Sequence, residues 1–140
     1  MQDDFSRRDA ETQRIRLNQI SGDIVDVAVK IHTDLGPGLF ESVYEAILEN
    51  ALLKKGYLVS RQVCIPIHYD GITFEAGFKA DLLIEETLIV ELKAVESLAK
   101  VHHRQLHTYL KLSGCPLGLL LNFGSHLMKN GIIRIVNTIP

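Results

Sequence analysis

The stretch from Lys79 to Ala94 constrains this chain more than any other part of it. Two runs of strand-forming residues flank a polar break at Glu85-Glu86-Thr87. Antiparallel pairing about that break sets Ile84 opposite Leu88, Leu83 opposite Ile89, Leu82 opposite Val90 and Asp81 opposite Glu91. Side chains alternate between the faces of a strand. One face of the hairpin therefore collects Ala80, Leu82, Ile84, Leu88, Val90, Leu92 and Ala94, all apolar. The other collects Lys79, Asp81, Leu83, Ile89, Glu91 and Lys93.

This register sets two carboxylates against each other. Like charges directly across a ladder are destabilising, and the cost grows if a helix covers that face and desolvates them. A divalent cation between Asp81 and Glu91 removes the difficulty, because carboxylates are hard oxygen ligands suited to Mg²⁺ or Mn²⁺. Lys93, two residues from Glu91, shares its face and is placed to orient a water and to neutralise charge building on a phosphate. The competing reading is a solvated surface hairpin in which Lys79 and Lys93 offset the acids; an isolated D-x₉-E-x-K string often arises by chance.

Elements on either side suggest a mixed domain. Met1 to Asn18 is polar and carries Asp3, Asp4, Arg7, Arg8, Asp9 and Glu11, so residues 1–19 read as a charged extension, either frayed or a loosely docked helix, with order beginning near Ile20. Ile20, Ile24, Val27, Ala28, Ile31 and Leu35 recur at helical spacing up to Gly36. A second helix follows the Pro37-Gly38 turn, with Tyr44, Ile47, Leu48, Ala51 and Leu52 on one face and Gly56 at its end. Tyr57 to Tyr69 reads as extended, with Pro66 marking an edge or a bulge. Asp70-Gly71 is a two-residue hairpin signal, and strand residues resume from Ile72 to Ile84. Beyond the central hairpin come a helix over Leu98–Leu112 stopped at Gly114, an apolar strand over Leu117–Phe123, and a last strand over Ile132–Ile139 after an Asn130-Gly131 turn. The order is ααβββαββ, an α/β domain over residues 20–140.

Other side chains are candidates only in company. Glu41 and Tyr44 are three apart, so they point together from the start of the second helix; alone, Glu41 would simply favour the helix N-terminus. Gln105 and Tyr109 follow a stripe with Leu98, Val101, His102 and Leu112, at the margin of a buried face where an amide needs partners. His103 and His107 lack a third zinc ligand at suitable spacing and read as a solvated face, while His102 lies nearer the Gln105 stripe.

Taken in order, Gly38-x-x-Glu41-x-x-Tyr44 and Asp81…Glu91-Leu92-Lys93 resemble the GxxExxY family, a branch of the PD-(D/E)XK nuclease superfamily. Gln105-x-x-x-Tyr109 is similar to the additional motif of RecB-like nucleases in that superfamily, and Leu117 to Phe123 also resembles the family. The likeness runs from about Ile20 to Asn137. It implies a restriction-endonuclease-like α/β core with a central mixed sheet flanked by helices. It further implies that Asp81 and Glu91 bind the metal with help from the Leu92 carbonyl and Glu41, that Lys93 positions water, and that Gln105 and Tyr109 brace the site or touch the phosphate backbone.

Composition bounds the function classes. In 140 residues, 46% are hydrophobic and 23% charged, enough for one core without disulfides. A net charge of −2 gives no global attraction for phosphate, so nucleic acid has to meet a local patch. Cys64 and Cys115 have no C-x-x-C spacing and read as free thiols of a cytoplasmic protein. No stretch reads as a membrane span or a secretory signal. The expected activity is Mg²⁺- or Mn²⁺-dependent hydrolysis of nucleic acid, DNA before RNA. The alternatives are an inactive module of the same fold that binds nucleic acid or a protein, and a homodimer that builds its substrate groove from two copies.

Overall fold

Helical periodicity in the first third of the chain and strand alternation after Gly56 both translate into structure. The computed structural model describes residues 2–137, with side chains from residue 6 onward. Helices α1 (Gln2–Leu35) and α2 (Glu41–Lys54) precede strands β1 (Val59–Tyr69), β2 (Ile72–Ile84) and β3 (Leu88–Lys93). Helix α3 (Lys100–Ser113), β4 (Leu117–Asn122), a short 3₁₀ turn at Met128–Gly131 and β5 (Ile132–Val136) complete the expected ααβββαββ order. The strands form one mixed sheet in the order β1-β2-β3-β4-β5, parallel between β3 and β4 and antiparallel elsewhere. This is the α/β class read from the sequence. The end of the expected last strand, at Ile139, lies outside the described residues.

Local chemistry explains the hairpins. Asp70 and Gly71 both take positive φ (48° and 77°), the pair that a two-residue turn with the native twist requires. Pairing shifts register between Ile65 and Ile67, so Pro66 sits at an irregularity on an edge strand, where its missing N–H costs least. At the central hairpin the pairs Leu82–Val90, Leu83–Ile89 and Ile84–Leu88 form as expected.

Both faces of the sheet are covered. Ile20, Ile24, Ala28 and Ile31 of α1 and Tyr44, Leu48 and Leu52 of α2 pack on Leu82, Ile84, Leu88, Val90, Leu92, Leu119 and Leu121. On the opposite face, Leu106 and Leu110 of α3 pack with Ile65, Phe78, Ala80, Ile89 and Leu120. The central strands β3 and β4 are therefore apolar almost throughout, as strands buried on both faces must be.

Four expectations are corrected. Order does not begin at Ile20: α1 is one unbroken 34-residue helix from Gln2, passing straight through the expected boundary at residues 19/20. Arg16 bonds Glu85 at 2.9 Å and Arg134 bonds Asn18 at 2.6 Å, tethering the helix before its apolar stripe begins. Leu35, the last residue of α1, is 46% exposed rather than part of the core. Helix α3 buries Leu106 and Leu110, while Val101 and Leu112 face solvent. The cause lies across the core at Gly118, where an added Cβ would sit 3.0 Å from Leu106 and 3.1 Å from Leu110; the missing side chain seats those two leucines.

The fourth correction concerns Ala80, which joins the α3 core although Leu82 and Ile84, of the same parity, join the other. On β1, Val59 and Val63 divide between the cores in the same way. Between these pairs stand Asp81 and its neighbour across the ladder, Gln62. Gln62 has φ 53°, whereas the other described non-glycine residues with positive φ (Asp70, Glu85 and Glu86) are in hairpin turns. A left-handed residue inside a strand interrupts alternation and costs on the order of 1–3 kcal/mol.

Candidate active site

The site forms where the β2–β3 ladder stops. The last paired rung is Leu82–Val90, and Asp81 and Glu91 do not continue the pairing. Each carboxylate instead bonds the opposite backbone. The Leu92 N–H donates to Asp81 Oδ2 at 2.9 Å, and the Asp81 N–H donates to Glu91 Oε1 at 3.3 Å. The two acids thus lie together, interlocked by their main chains.

Glu91 is only 7% exposed. Burial pushes its pKa up to about 9, with the Asp81 charge and a side-chain hydrogen bond to Asp81 adding to the shift; Lys93 and the Asp81 backbone oppose it less strongly. A carboxyl in this state holds its proton at neutral pH unless positive charge arrives. The solvated-hairpin reading is excluded, since Ile89 and Glu91 on the mixed face are both buried.

Beside this pair opens a cleft of about 440 Å³ lined by Phe40, Glu41, Ser42, Glu45, Gln62, Asp81, Leu92 and Lys93. Glu41, Asp81, Leu92 and Lys93 are thus brought together as expected. Lys93 is half-buried and makes no ion pair within 4 Å among the described residues. Glu45 and Gln62 were not anticipated. Glu45 follows Glu41 by one helical turn, a spacing that would have flagged it. Nothing in the sequence singles out Gln62, because its role depends on one backbone angle.

The remaining expected residues, Glu91 included, are not part of the cleft lining. Tyr44 does not point with Glu41: it is fully buried, stacks on Phe123 (centroids 4.4 Å apart), and its hydroxyl donates to the Gly36 carbonyl at 2.5 Å. That hydroxyl also accepts the Leu39 N–H at 3.2 Å, so Tyr44 braces the turn that launches Glu41. Tyr109 stacks on Phe78 at 3.9 Å. Burial raises its pKa, the charges of Glu91 and Asp81 add to the rise, and a hydrogen bond with Gln105 opposes it. Gln105 is exposed, not at a buried margin, because α3 seats Leu106 and Leu110 instead. The His102 imidazole accepts the Ala99 N–H at 3.0 Å and caps α3.

A family model described as the PD-(D/E)XK nuclease superfamily matches residues 18–135, which contain every element of this arrangement. The chain belongs to the PD-(D/E)XK nuclease superfamily. No curated protein and no solved structure matches it.

As in PD-(D/E)XK proteins generally, the question is whether the acids suit a divalent metal. Among the described residues, no three His, Cys, Asp or Glu side chains converge into a ready-made cage. A cage is not what Mg²⁺ needs; it commonly takes one or two carboxylates and completes its shell with water and substrate phosphate oxygens. The donors here are carboxylate and carbonyl oxygens without sulfur or imidazole. Buried Glu91 also lacks enough positive charge around it to ionise at neutral pH. The residues fit.

The end of β3 is held by Asn122, fully buried on β4 opposite Lys93. Its Oδ1 accepts the Val95 N–H at 3.0 Å and the Gly124 N–H at 3.1 Å; its Nδ2 donates to the Val95 carbonyl at 2.9 Å and Ser125 Oγ at 3.1 Å. Asn122→Ala leaves buried backbone groups unpaired and is expected to cost about 3 kcal/mol, measured by urea denaturation.

Proposed function

We propose that this chain is a metal-dependent nuclease that hydrolyses phosphodiester bonds of nucleic acid, with DNA as substrate and Mg²⁺ as cofactor, Mn²⁺ substituting. The observation carrying this reading is the interlocked, buried Asp81–Glu91 pair with Lys93 beside it in an open cleft. The motif order supports placement in the GxxExxY family and its RecB-like neighbourhood. The free thiols Cys64 and Cys115 support a cytoplasmic setting, and no described helix is long and apolar enough to cross a membrane.

In this reading Asp81, Glu91 and the Leu92 carbonyl would hold the metal, with Glu41, which lines the same cleft, joining through a water. When bound, the cation supplies positive charge to the scissile phosphate and the leaving alkoxide. Lys93 donates a hydrogen bond to the attacking water, aiming it at phosphorus, and offsets charge on the phosphate oxygens. Exposed Gln105 contacts the phosphate backbone, and Tyr109, stacked on Phe78, backs the acids. Tyr44 and His102 hold the two helices that frame the site.

The test is a cleavage assay over single- and double-stranded DNA and RNA, with Mg²⁺, Mn²⁺ or chelator. Cleavage that needs the metal and favours DNA is expected. The other reading is a module of the same fold with an idle site that binds nucleic acid or a protein partner; a net charge of −2, which offers phosphate no global attraction, suits the protein partner. DNA binding without cleavage, indifferent to Glu91→Gln, would establish that reading instead. Light scattering of the same preparation reads whether two copies build the groove.

A further inference from the structure

Two adjacent residues of a strand ordinarily point to opposite faces. Arg61 and Gln62 do not: both reach the same helix carboxylate. Arg61 Nε donates to Glu45 Oε2 at 3.2 Å, and Gln62 Nε2 donates to Glu45 Oε1 at 2.6 Å. The left-handed backbone of Gln62, φ 53°, turns its side chain to the side Arg61 occupies. The same Nε2 donates to Asp81 Oδ1 at 3.2 Å. One amide NH₂ therefore gives its two hydrogens to two carboxylates, one from α2 and one from β2, both lining the cleft. Glu45 is only 6% exposed, so its charge is met by Arg61 at 3.2 Å rather than by water.

We infer that Gln62 is a positioning residue for the metal site proposed above, pre-forming its acidic wall by clamping Glu45 and Asp81 at a fixed separation. The inference rests on that reading of Asp81. An amide suits this task because it offers two donors and carries no charge. It holds Asp81 in place without neutralising it, leaving that charge available to a cation, while Arg61 pairs the charge of Glu45. A lysine here would compete with the metal, and an apolar residue would let the acids separate. Strain tolerated at one residue beside a cleft is the mark of a conformation retained for such a purpose.

The experiment is calorimetric titration of Mn²⁺ into the full chain, with thermal melts of the metal-free proteins alongside. Gln62→Gly relaxes the left-handed strain and removes the clamp. Its melting temperature is expected to hold or rise, while Mn²⁺ affinity falls about tenfold, the lower end of the range seen when groups that orient metal ligands are removed. Gln62→Glu keeps the reach but adds a third acid. It is expected to melt lower without metal and to gain more from Mn²⁺ than the unaltered chain does. Gln62→Gly that binds Mn²⁺ as tightly as the unaltered chain overturns the positioning role and leaves the metal site standing. An unaltered chain with no Mn²⁺ binding, indistinguishable from Asp81→Asn, overturns both.

Discussion

Replacing Lys93 with alanine is expected to lower the cleavage rate roughly 10²–10³-fold, the range found when one donor aimed at developing charge is removed. The loss should fall on kcat, with KM little changed, because the ammonium acts on the reacting water and phosphate. Lys93 makes no ion pair among the described residues, so the variant should melt close to the unaltered protein. Asp81→Asn separates charge from geometry at the neighbouring position. The side-chain carbonyl of the introduced amide still accepts the Leu92 N–H that Asp81 Oδ2 takes at 2.9 Å, so the strand end is held, while its NH₂ replaces the oxygen that accepts from Gln62 at 3.2 Å. The missing charge should abolish metal-dependent cleavage to within the background of the assay. Single-turnover cleavage of a labelled duplex, paired with circular dichroism melts, measures both effects. Cleavage by Lys93→Ala at the unaltered rate would remove the lysine from the mechanism.

Glu91→Gln is expected to stabilise the metal-free protein and to abolish its activity. A carboxyl whose folded pKa is about 9 against an ordinary 4.5 holds its proton more tightly in the folded chain than in the unfolded one. Its contribution to stability is fully present below pH 4.5. It is then lost steadily as pH rises toward 9, where the folded chain must also ionise. The amide that replaces the carboxyl keeps an oxygen for the Asp81 N–H and an NH₂ for the Asp81 carboxylate, yet never ionises. The variant should therefore match the unaltered protein near pH 4.5 and exceed it by a few kcal/mol at pH 7. Mg²⁺ or Mn²⁺ should raise the melting temperature of the unaltered chain more at pH 8 than at pH 5 and leave Glu91→Gln nearly unmoved. Equal pH slopes for the two proteins would mean that Glu91 is not held neutral.

Those two acids also mark how far the sequence could be read. The central hairpin was legible because a one-residue slip would expose Leu82, Ile84, Leu88 and Val90. Turn chemistry at Asp70-Gly71 and the stop at Gly114, which adopts φ 76°, were legible because few residues tolerate those backbones. The α3 face was not, because Leu106 and Leu110 are chosen by Gly118, which comes later in the chain and meets them only when α3 packs on the sheet. That the N-terminal segment is an ordered continuation of α1 was not legible for a similar reason: its anchors, Glu85 and Arg134, are distant in sequence.

Local sequence thus determined the ααβββαββ order, the register of the Asp81–Glu91 hairpin and the sharing of a face by Glu91 and Lys93, since these follow from short-range periodicity and turn preference. Only the tertiary structure decided that the ladder ends at Leu82–Val90, that Glu45 joins the cleft, and that Gln62 spans two acids. Each of these depends on which surfaces meet, and on one backbone angle held by contacts on either side of the sheet. Periodicity within a single strand or helix carries no record of either.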